Sequence, residues 1–102
     1  MKKPQWLIRI EEALEYDKNI LQNLIGRKAM FNYLLKYFET EQYQNESQEV
    51  KKAALDFYNR NNLVDFDKEI EKWRKKVEKL ELSHKKALVS WKKWIISKDF
   101  EK

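Results

Sequence analysis

One Gly and one Pro punctuate this chain of 102 residues, where average usage would supply about twelve of the two together. Strand-rich domains turn roughly every ten residues, and their turns lean on Gly, Pro, Asn and Asp. A chain this short of breakers makes few turns, and few turns require long helices. The expected fold class is all-α.

The length matches one domain. Four Trp, five Tyr and five Phe argue against disorder, because disordered chains are poor in aromatic residues. Cys is absent, which removes disulfides, thiolate ligands and thiol nucleophiles. The stretch Trp6-Leu7-Ile8 is interrupted by Arg9, too early for the apolar region of a signal peptide. No apolar run approaches the roughly eighteen residues of a membrane span. No membrane span and a cytoplasmic location are therefore expected.

The first helix is expected over about 5–42, opening near Pro4, a residue suited to a first helical turn. Its apolar stripe runs through Leu7, Ile10, Leu14, Leu21, Leu24, Phe31, Leu35 and Phe38 at alternating three- and four-residue spacing. Asp17 and Lys28 occupy two seam positions, and Gly26 offers a place for a kink. A polar cluster, Tyr43–Gln48, marks a turn, with Asn45 and Gln48 resembling a capping pair. A shorter helix follows over about 46–59. It ends at Asn59-Arg60-Asn61-Asn62, side chains that tolerate left-handed backbone.

Asp65 is placed to cap a third helix over about 65–98. Phe66, Ile70, Trp73, Val77, Leu80, His84, Ala87, Trp91 and Trp94 then follow a strict seven-residue pattern, the signature of supercoiled packing against another helix. The expected architecture is two long antiparallel amphipathic helices plus a shorter connecting helix, a three-helix bundle or helical hairpin forming a single domain. Oligomerisation would complete it. Within the last helix, Ser83-His84-Lys85-Lys86-Ala87-Leu88-Val89 is echoed by Ser90-Trp91-Lys92-Lys93-Trp94-Ile95-Ile96. Beyond the seam, Leu82, Leu88, Val89, Ile95 and Ile96 offer a second apolar side. A chain of this length is hard pressed to cover both.

Catalytic constellations are nearly absent. His84 is the one His, so no single chain holds a two-His metal site, and no Gly-rich loop cradles phosphate. Glu81-x-x-His84 has the spacing of a di-iron ligand pair. A hairpin folded near residue 53 would set His84 opposite about residue 22, however, and residues 18–28 carry no carboxylate. His84 is better read as a polar seam residue that sets register. Glu11, Glu12 and Glu15 have the spacing of an ordinary charged helix surface. No catalysis, cofactor or metal is expected.

Residues 1–50 carry seven Lys or Arg against eight Asp or Glu, whereas residues 51–102 carry fifteen against nine. The net charge of +5 thus belongs to the second half. Lys72, Lys75, Lys79, Lys85, Lys86, Lys92 and Lys93 project away from the seam. Five phosphate contacts along such a stripe would give a salt slope of about −4.5. Yet Glu71 and Glu78 interrupt it, and Arg74 is the lone Arg within it. Trp91–Ile96 also has the Trp and Lys content of a membrane-surface segment, although Trp91 and Trp94 in heptad phase favour packing.

The leading expectation is a non-catalytic helical protein–protein interaction module, a regulator or inhibitor. It would bind a protein partner or form a homo-oligomer through Leu88, Val89, Trp91, Trp94, Ile95 and Ile96. The alternative is a nucleic-acid-binding accessory protein that uses the seven lysines. A Lys- and Asn-rich composition of this kind suits phage or mobile-element proteins.

Overall fold

The computed structural model describes the backbone of residues 2–101 and the side chains of residues 2–97. The described residues form α1 (Gln5–Tyr37), α2 (Glu41–Gln44), α3 (Gln48–Asn61) and α4 (Phe66–Glu101), with no strand. The fold is all-α. Two compact units divide these helices. One takes the residues up to Leu21 and those from Glu71 onward, and the other is Gln22–Ile70.

The Pro4 carbonyl accepts the first helical N–H groups, from Leu7 at 3.1 Å and Ile8 at 3.2 Å. Pro4 lacks an N–H at a position where none is needed. From there α1 passes through Asp17 and Gly26 without a break. Gly26 is exposed, its φ is not positive, and an added Cβ would meet nothing within 4 Å. Gly26→Ala is therefore expected to stabilise the protein by about 1 kcal/mol, read as a rise in the urea midpoint.

α1 ends at Tyr37 rather than near residue 42, because Thr40 intervenes. Its Oγ1 donates to the Tyr37 carbonyl at 2.6 Å and accepts from the Tyr43 N–H at 3.3 Å. One hydroxyl thus closes α1 and caps α2. The break lets Tyr43 turn back, edge-on to Phe38 at 5.0 Å and to Tyr37 at 5.6 Å. At the next helix start Ser47, not the expected Asn45–Gln48 pair, is the cap, accepting from the Val50 N–H at 3.3 Å.

In the unit Gln22–Ile70 aromatic rings form the interior. Phe31 stacks on Tyr58 at 5.5 Å and tilts against Phe66 at 5.9 Å, while Phe38 meets Tyr58 edge-on at 5.9 Å. Of the two neighbouring apolar positions expected on this face of α1, Leu34 is buried and Leu35 is exposed. Asn61 is 3% exposed and hydrogen-bonded through both ends of its amide. Its Oδ1 accepts from Arg27 Nη2 at 2.6 Å and Nε at 3.1 Å, and its Nδ2 donates to the Phe57 carbonyl at 2.8 Å. The Asn59–Asn62 run turns without left-handed backbone. Asn62 caps α3 at φ −68° and ψ −19°, and no described residue has positive φ. Asp65 then caps α4, accepting from the Lys68 N–H at 3.1 Å, with Asp67 and Glu69 in the first turn complementing the helix dipole.

In the other unit, α1 and α4 segments run antiparallel. Lys18 pairs with Glu81 at 3.5 Å, and Glu11 lies 2.9 Å from His84. Leu7 and Leu14 are buried from one side, Val77 and Ala87 from the other. The heptad row of α4 is the buried row as far as Trp91, with Trp73, Leu80, His84 and Trp91 half-buried along it; Trp94, its last expected member, is 49% exposed. Its register departs from expectation, since Glu11 rather than a residue near 22 faces His84. In the unit Gln22–Ile70, α4 sets out beside Phe31 and Lys28, through Phe66 and Asp67. It does not start level with the end of α1, because α3 occupies that end through Tyr58.

Candidate functional site

The repeat in α4 acquires a geometry. A helix advances about 100° per residue, so a seven-residue interval returns to nearly the same side. Leu82, Val89 and Ile96 therefore line one stripe, within about 40° of one another. Lys85 and Lys92 flank it on one side, Lys86 and Lys93 on the other. Leu82, Val89, Trp94 and Ile96 are each between 49% and 56% exposed, values that mark large apolar surface their own unit does not cover.

The six residues expected to bind a partner do not form one surface. Trp91 and Trp94, with Ser90, line a groove of about 450 Å³ whose other wall is Pro4 and Trp6 from the start of α1. Leu88 is half-buried in a second groove, with Leu14, Lys18 and His84. Ile95 is half-buried, at the seam edge. Val89 and Ile96 belong to the outer stripe, and Leu82 extends it. The wall made by Pro4 and Trp6 has no local signal in the sequence, because it is set by tertiary register.

Trp91 is half-buried, and its indole Nε1 is sealed from solvent without a hydrogen-bond partner among the described residues. A buried donor in that state is a local cost of about 1–3 kcal/mol. Native folds leave few such groups.

All seven lysines of the expected stripe are exposed. No ion pair among the described residues involves any of them. Arg74 is turned to Glu71 at 3.6 Å.

At the seam, Lys3 Nζ donates to both Glu11 oxygens at 3.1 Å, and His84 Nε2 approaches Oε2 at 2.9 Å. An ionised carboxylate can only accept, so Nε2 carries the proton in this contact. The His84 hydrogen bond, and after it that of Lys3, hold the Glu11 carboxyl below its ordinary value of 4.5. Its folded pKa is depressed, so its contribution is present above the unfolded value and lost as pH falls through the folded one. Glu11→Gln is expected to be less stable than the natural chain at neutral pH. The gap should shrink below pH 4.5 and close in stronger acid, as urea unfolding at a series of pH values will report.

Glu81 pairs with Lys18 at 3.5 Å and His84 with Glu11 at 2.9 Å. Among the described residues, no group of three or more His, Cys, Asp or Glu is placed to hold a metal ion. Nor is any helix of the described residues long and apolar enough to cross a membrane. Compared with known proteins, the chain matches no protein family, no curated protein and no solved structure.

Proposed function

We propose that the chain is a non-catalytic helical interaction module, a regulator or inhibitor acting through the part of α4 beyond residue 80. It docks a protein partner or a second copy there. In this reading its two long helices and the shorter connecting one are completed by association. The supporting observation is the uncovered apolar surface of Leu82, Val89, Trp94 and Ile96. Single exposed apolar residues are ordinary, but Leu82, Val89 and Ile96 share one side of the helix, and Trp94 opens onto the aromatic groove on another. The aromatic groove adds Trp6 and Trp91, and Trp is the residue type most enriched among interface hot spots.

A photo-crosslinking residue placed at position 89 or 94 in the native host tests this. Adducts at these positions, and none at the exposed polar Asn23, support the reading, with the adduct's mass separating self-association from a different partner. A chain that stays monomeric at all concentrations and gives no adduct at either position overturns it.

A second reading, nucleic-acid binding, draws on the exposure of Lys72, Lys75, Lys79, Lys85, Lys86, Lys92 and Lys93. A salt titration with DNA and RNA decides it. No binding at low salt removes this reading.

A further inference from the structure

We propose that the outer stripe of α4 docks an acidic amphipathic helix, one carrying an aliphatic residue every seventh position between two rows of carboxylates. This rests on the reading of α4 as an interaction surface and names the chemistry of its partner. Leu82, Val89 and Ile96 repeat every seven residues on a side of α4 away from its own seam, and all three are about half exposed. Seven is the period at which two helices stay in contact along their length. A shallow groove of about 370 Å³ between Leu82, Lys85, Lys86, Val89 and Ser90 is a hole of the kind into which a facing side chain inserts.

Charge selects among the occupants. Lys85, Lys86, Lys92 and Lys93 rim the stripe, all exposed and none in an ion pair among the described residues. A second copy docked symmetrically through the same stripe would set these four lysines against their equivalents, because a two-fold contact pairs one patch with itself. Like charges so placed oppose association. The outward face of α1 in this unit is no better a counterpart. Its exposed Arg9, Glu12 and Glu15 carry almost no surplus of negative charge. Carboxylates on both flanks of an incoming aliphatic row satisfy both lysine rows at once, as flanking charges do when helices choose partners.

A lipid surface is disfavoured by the stripe's width. Membrane-surface helices bury a broad apolar face that includes Trp or Phe, whereas this stripe spans about 40° and holds three aliphatic residues. Trp91 and Trp94 lie on the side of α4 that faces Pro4 and Trp6. A nucleic-acid backbone would engage the lysines but has no use for the aliphatic row between them.

The experiment titrates the full chain with a fluorescent synthetic helix bearing Leu every seventh residue, flanked by Glu. Its controls are the same peptide with Leu replaced by Gln, phosphatidylserine vesicles and a DNA duplex. Saturable binding of the Leu peptide is expected, weakened roughly tenfold by Val89→Ser or Ile96→Ser. Replacing the four lysines by Gln should weaken it further and flatten its salt dependence. These positions are exposed, so circular dichroism should show the helices intact in every variant. Equal binding of the Gln-substituted peptide would reduce the effect to bulk charge and overturn the proposal. Binding of vesicles or DNA without binding of the Leu peptide would overturn it too. Adducts at position 89 or 94 in the host combined with failure of the acidic helix would sink this proposal and leave the interaction reading standing.

Discussion

Phe66→Ala is expected to cost about 3–5 kcal/mol of stability, a large share of the roughly 5–15 kcal/mol a domain of this kind holds. Phe66 is the first residue of α4 and is buried. Its ring packs against Phe31 at 5.9 Å and lies beneath the Arg27 guanidinium, whose carbon is 5.7 Å from the ring centre. Truncation removes the ring that α1 and the start of α4 share. It also withdraws the surface over which Arg27 is held while it donates to Asn61. The loss should appear in urea unfolding, and hydrogen exchange should accelerate first within residues 22–70. Phe66→Leu retains most of the volume and should cost less than about 1.5 kcal/mol. Equal losses for Ala and Leu would mean that the ring's contacts with Phe31 and Arg27, rather than its volume, matter.

Leu7→Ala is the second large effect, about 2–5 kcal/mol. Leu7 is the one large side chain with no accessible surface among the described residues, and it lies in the first full turn of α1. Its loss should raise exchange before residue 21 and beyond residue 71. Val89→Ala, on the exposed stripe, should stay within about 0.5 kcal/mol in the isolated protein. The pair separates a residue that holds the fold from one available to a partner. A Val89 substitution as damaging as the Leu7 one would place the stripe in the interior instead.

The sequence is most legible where the local pattern is continuous. From Phe66 to Ala87 the seven-residue row is also the buried row, because no breaker interrupts it and one face packs throughout. Leu35 shows where such reading stops. Its phase extrapolates the row that begins at Leu7, yet it is exposed and the neighbouring Leu34 is buried, on the stretch of α1 where Phe31 and Phe38 both meet Tyr58 of α3. Thr40 gives little warning of its role, because a hydroxyl after Phe38-Glu39 is a weak signal until Tyr43 is seen to fold back onto Phe38.

Asn61 has the local look of a turn former, and its role depends on Arg27, thirty-four residues earlier. Glu11 and His84 are seventy-three residues apart, a pairing set by tertiary register rather than by any local pattern. In the candidate site, the amino acids are readable but their separation into an aromatic groove and an outer stripe is not. That division needs Pro4 and Trp6 on the other wall of the groove.

The distribution of chromophores has a practical consequence. Trp6, Trp73, Trp91 and Trp94 all belong to the unit formed by the two chain ends, whereas Tyr33, Tyr37, Tyr43 and Tyr58 belong to Gln22–Ile70. Indole emission therefore watches one unit and phenol absorbance mainly the other, with Tyr16 as the exception. The natural chain arrives optically labelled in two colours, and coincidence of the two melting curves is the standard sign of a single cooperative transition.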